Sequence, residues 1–220
     1  MDEKRSLLRH FLAALAYRTQ KALQEAPASF GDFRIAHGVR TPAELVRHMT
    51  SVLGYARTFF IGRAYRHEPL PTLADEVVRF HAMLEDLAGH LERGTLLQGT
   101  TPERLLQGPF ADAMTHAGQL AMLRRLAGSP VPPENFMVAA IDPANLGLHQ
   151  PPPVSPDREW PEAPPGWQSP AHKPVERASH QRLDRVDWAD RPSIPRTSRG
   201  TITTLSACWH WPRRTIPPAR

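Results

Sequence analysis

Apolar residues recur at helical spacing in four stretches before residue 130. The first runs from about Glu3 to Glu25, where Leu8, Phe11, Leu12, Leu15, Ala22 and Leu23 keep one face apolar, and it stops ahead of Pro27. The second begins at TPAE, residues 41 to 44, with Thr41 as N-cap, Pro42 at the first helical position and Glu44 completing a capping box. It runs to about Ile61 and carries Leu45, His48, Val52, Tyr55 and Phe59 along one stripe. The third follows PLPT and closes at Gly94. TPER at 101 to 104 predicts a short turn that Gly108 and Pro109 interrupt, and a fourth long helix is expected from about Pro109 to Gly128, with Ala113, Leu120, Leu123 and Leu126 aligned.

Four amphipathic helices with no credible strand between them predict an all-α four-helix bundle. Residues 130 to 150 carry enough apolar content to pack across the bundle as an irregular arm, giving a first domain over 1–150. From Pro151 the periodicity stops. The segment PPPVSPDREWPEAPPGWQSP reads as extended chain on the surface or free in solvent, and the remainder of the Pro/Arg-rich tail, 151–220, is expected to be disordered.

Three polar residues stand where the pattern calls for apolar ones. His48 lies on the stripe of the second helix, and Asp112 and His116, one turn apart, lie at the edge of the stripe of the fourth. Each costs stability in a core unless something pairs with it. His48 is about 9 Å along its helix, and Asp112 and His116 roughly 4 and 10 Å past Pro109, so the three share a layer if both helices run in one direction. Two imidazoles and a carboxylate suit a divalent ion of the zinc, nickel, iron or manganese kind, with further positions left to water or substrate. Gln119, one turn beyond His116, is placed to hydrogen-bond a ligand from behind, and Tyr55 to line the pocket. The alternative is an internal Asp112–His116 pair, bridged to His48 through water. His10 and His81 sit at stripe edges and read as surface or boundary residues; His67 and His90 read as exposed, and His149, His172, His180 and His210 as solvated.

Composition changes this picture little. Residues 1–150 hold 16 Lys and Arg against 15 Asp and Glu, whereas 151–220 hold 11 against 7, so most of the net charge of +5 belongs to the tail and nucleic acid is not an expected partner. The one cysteine, Cys208, allows neither an internal disulfide nor a cysteine-rich zinc site. The apolar run FLAALAY is too short to span a bilayer and no cleavage site follows it, so a cytoplasmic protein without membrane attachment is expected. The chain has no HExxH, paired ExxH, Gly-rich phosphate loop or GxSxG.

The second-helix stretch RTPAELVRHMTSVLGYA together with DAMTHAGQLAMLRRLAG resembles the DinB/YfiT-like superfamily of metal-binding four-helix bundles over residues 1 to about 145. In that family one histidine comes from the second helix and two ligands four residues apart from a late helix, often followed by Gly-Gln. His48 and His116 match directly, as do Gly118 and Gln119. Asp112 stands where the commonest pattern has histidine, a slot that holds a carboxylate in the related thiol-dependent maleylpyruvate isomerases. The resemblance implies a divalent ion held by His48, Asp112 and His116, a small-molecule substrate, a low-molecular-weight thiol as co-reactant, and a homodimer. The expected function is a metal-dependent transferase or hydrolase. A metal- or ligand-binding stress-response bundle without turnover, and a metal-free helical interaction protein, are the alternatives.

Overall fold

The computed structural model describes residues 2–154 together with Trp160, Ala163 and Pro165. Its long helices are α1 (Glu3–Leu23), α2 (Pro42–Ile61) and α3 (Leu73–Glu92); a short α4 (Pro102–Leu105) leads through a π-helical turn, Leu106–Phe110, into α5 (Ala111–Leu126). No strand occurs among the described residues, so the four-helix, all-α reading holds.

Local chemistry sets the starts. Asp2 caps α1 by accepting from the Arg5 amide at 2.9 Å. At α2 the capping box forms as the sequence suggests: Thr41 Oγ1 accepts from the Glu44 amide at 3.3 Å while the Glu44 carboxylate accepts from the Thr41 amide at 2.8 Å. Thr72 and Asp75 make the same device at α3. Gly62 ends α2 in the left-handed conformation (φ 69°) that a side chain would resist.

Helix directions follow from which ends meet. Lys4, near the start of α1, pairs with Glu103 on α4 at 2.7 Å, and Arg124 near the end of α5 donates to the carbonyls of Ala22 and Gln24 at 3.1 and 2.9 Å, so α1 and α5 run parallel. Arg47 and Arg57 on α2 reach Glu76 and Asp86 on α3, in the same order along both helices, so these two are parallel as well. Arg5, at the start of α1, donates to the Thr95 carbonyl just past α3 at 2.9 Å, which sets the two pairs against each other. α1 and α2 each pack on both α3 and α5. The second and fourth long helices therefore run antiparallel, not in the common direction expected from simple alternation.

The reason is the connection between α2 and α3. The eleven residues between Ile61 and Leu73, at about 3.3 Å each, span about 36 Å, enough to return along the whole of a 20-residue helix. They do so: Tyr65 lies over Gly54, His67 Nε2 is 3.3 Å from Ser51 Oγ, and the Leu70 amide donates to Glu76 Oε1 at 2.9 Å. Glu76 is buried and satisfied by Arg47, Arg79 and that amide together, fastening the crossover at its upper end.

Two sequence expectations shift. Pro109 does not begin the fourth helix; the helix starts at Pro102 and passes Pro109 in the wider π turn. A regular turn would clash the proline ring with an earlier carbonyl, and the extra residue relieves it. Leu105 and Phe110, both fully buried, hold the segment on the core on either side. On α2 the buried face is Leu45, Val46, Met49, Leu53, Ala56 and Phe60. The stripe read from the sequence lies to one side of it, and Leu126 on α5 is likewise exposed.

The arm packs as expected. Leu146 is buried, and buried Glu134 accepts from Tyr17 Oη and Lys21 Nζ, each at 2.6 Å. The tail expected from Pro151 onward lies almost wholly outside the described residues, as do His172, His180, Cys208 and His210. Its described part includes Trp160, which is buried rather than free in solvent.

Candidate metal centre

His48, Asp112 and His116 come together where the first half of α2 crosses α5. One ligand atom from each lies within 4.8 Å of the other two, a group that could hold a metal ion. The two imidazole rings stand edge to face with centroids 4.8 Å apart. His116 Nε2 is 3.4 Å from Asp112 Oδ1. Two donors at about 2.1 Å from one tetrahedral ion stand about 3.4 Å apart, so this spacing is compatible with shared ligation as well as with a direct Asp112–His116 pair.

The hydrogen bonding of His116 is one-sided. Its Nδ1 is 2.8 Å from Gln119 Oε1, an acceptor, so Nδ1 carries the proton and Nε2 the lone pair. Nε2 is buried and has no hydrogen-bond partner among the described residues; the approach of Asp112 lacks hydrogen-bond geometry. An orphaned, buried imidazole lone pair beside a second imidazole and a carboxylate is a donor set with one acceptor too many for itself and the right chemistry for a cation.

Burial first, with the positive charge of Arg40 adding to it and Asp112 opposing, lowers the pKa of His48 to about 4. His48 is therefore neutral near pH 7, the form that can coordinate. His48 makes no hydrogen bond among the described residues. Asp112, with its side chain 45% exposed, forms the wet side of the cluster.

Tyr55 does not join this group. It stands two turns beyond His48 on the outer edge of α2, 44% exposed, with its ring edge-on to Phe59. Arg40, which the sequence reading passed over, lies immediately before the α2 cap and so reaches the field of His48; its signal was its position one residue ahead of the capping box.

Several other histidines sit differently from expectation. His81 is buried, not at the boundary: its Nδ1 is 2.5 Å from the Leu146 carbonyl and its Nε2 2.9 Å from Gln20 Nε2, clamping the arm between α1 and α3. His90 is half-buried against the face of Phe60, with Nδ1 3.3 Å from Thr95 Oγ1, and His67 is half-buried beside Ser51. His90, on α3, is covered by Phe60 of α2, and His67, in the connection between α2 and α3, by its return along α2. His10 and His149 are exposed.

No helix among the described residues is long and apolar enough to cross a membrane. No protein-family model, curated protein or solved structure matches this chain.

Proposed function

We propose that this bundle is a divalent-metal-dependent enzyme of the transferase or hydrolase type, with His48, Asp112 and His116 as its ligands. The observation that carries the reading is the His116 ring: Gln119 occupies Nδ1, and the buried Nε2 lone pair faces His48 and Asp112 with nothing to accept it. Three protein ligands leave coordination positions for a reactant, as catalytic sites require. A bound divalent ion would polarise a substrate oxygen, or lower the pKa of a water or thiol enough to make it a nucleophile near neutral pH.

The chain's own residues supply the rest. Gln119 fixes the tautomer and tilt of His116. Burial keeps His48 unprotonated, and half-exposed Asp112 marks the side from which a small substrate reaches the site. The resemblance to DinB/YfiT-like bundles, which rests on RTPAELVRHM and DAMTHAGQ, favours a low-molecular-weight thiol as the co-reactant.

Elemental analysis of the purified protein beside His48→Ala and His116→Ala tests the site. About one divalent ion per chain, lost in both variants while helical content is retained, is the expected result. No ion after incubation with zinc, nickel, iron and manganese, or full retention in His116→Ala, would overturn the assignment. A protein that binds metal without turnover would keep the ion yet show no thiol-transfer or hydrolytic activity across electrophilic substrates.

A further inference from the structure

We infer that a second site, on the opposite flank of α5, binds a small organic anion carrying an apolar ring. At 3.6 residues per turn, Gly118, Ala121 and Arg125 point roughly half a turn away from Asp112 and His116. There α5, α1 and the arm enclose a cleft of about 230 Å³ with an apolar floor of Ala22, Met114, Ala117 and Ala121. A Cβ added at Gly118 would meet nothing within 4 Å, so the space above the floor is open.

Three cations and one carboxylate line this cleft: Arg18, Lys21, Arg125 and Glu134. Glu134 is spent, since one oxygen accepts from Tyr17 and the other from Lys21. Among the described residues neither Arg18 nor Arg125 has a carboxylate partner. Arg18 is nonetheless held: its guanidinium carbon lies 3.9 Å from the centre of the Phe136 ring. The ring holds the guanidinium in place, and no hydrogen bond among the described residues uses its N–H groups, so they remain available to grip a carboxylate with two parallel hydrogen bonds. Two cations in excess over an apolar floor call for a ligand with one anionic end and one greasy end. The volume is below the ~300–1,000 Å³ of pockets for drug-sized ligands, which limits the body to about a single ring.

Benzoate is the probe and benzamide its neutral counterpart, titrated into the full-length protein and followed by ¹⁵N–¹H correlation spectra. Saturable shifts are expected with benzoate at residues 117–121 and 131–136, and none with benzamide. Arg18→Gln should weaken binding at least about tenfold, through loss of the charge-assisted bidentate pair. Gly118→Leu should abolish it by filling the cleft, while leucine's better helix propensity preserves α5. His48→Ala, which removes the proposed metal ligand, should leave the benzoate shifts unchanged, so that this site and the metal centre stand or fall separately. Equal shifts with benzamide, no saturable shift with benzoate, undiminished binding in Gly118→Leu, or shifts centred on residues 48 and 112–116 would each overturn the proposal.

Discussion

At the scale of single residues, Gln119 decides which nitrogen of His116 faces the cluster. Gln119→Leu removes that hydrogen bond without touching a ligand, and should lower divalent-metal affinity about 10–100-fold, as loss of a partner behind a ligating histidine does; competition with a chromophoric chelator would read it, and an unchanged affinity would remove Gln119 from the role. The buried histidines give a second outcome. Burial lowers the pKa values of His48, His67, His81 and His90 below the ordinary 6.5, for His48 to about 4. The unfolded chain therefore binds protons before the folded one does, so stability is full above about pH 6.5 and falls as the pH is lowered. His48's share of the loss is complete near pH 4. Urea unfolding of the chelator-treated protein at stepped pH should show the midpoint falling over that window; a flat profile would contradict it. His48, Asp112 and His116 were legible because a polar residue on an apolar stripe stands out in any one helix. His81 was not, because its partners Gln20 and Leu146 lie 61 and 65 residues away.

Among the elements, the crossover between α2 and α3 depends on close approach. A Cβ at Gly54 would fall 2.1 Å from the Tyr65 ring, so Gly54→Ala must displace that ring, and the overpacking cost of about 1–3 kcal/mol equals or exceeds the ~1 kcal/mol gained in helix propensity. In a Tyr65→Ala background the same change should be neutral or stabilising, which a double-mutant thermal unfolding cycle would show. Glu76→Ala should cost more. It strips a buried carboxylate from two arginines and the Leu70 amide, a loss of up to about 3–5 kcal/mol for a fully buried pair and less here because Arg47 and Arg79 reach solvent. A fall below about 1 kcal/mol in denaturant titration would mean that the crossover is held elsewhere. The capping box at Thr41 was readable in four residues because its bonds close within four residues. Pro109 misled for the same reason: the local rule says break, whereas Leu105 and Phe110, buried on the core, keep the chain helical through a wider turn.

For the whole molecule, Trp160 extends the folded unit past the boundary expected at residue 150. A chain cut after Gln150 should unfold at a lower temperature than the full chain, by the roughly 6–20 °C that follow from losing a buried tryptophan worth about 3–5 kcal/mol; an unchanged melting temperature would show that the bundle does not need it. By itself the sequence determined the number and type of the long helices, the capped start of α2, and the three polar positions on or beside apolar stripes. All of these rest on periodicity and on bonds between near neighbours, which one stretch of chain carries within itself. Only the tertiary structure decided that α2 opposes α5 and that His48 nonetheless meets Asp112 and His116. It alone decided that Arg18 and Arg125 share a cleft with Phe136. Direction depends on how far an unpatterned eleven-residue connection extends, and pairing depends on side chains brought together from distant positions. Neither leaves a periodic trace, because the free energy that selects them is gained only when separate faces are buried against one another.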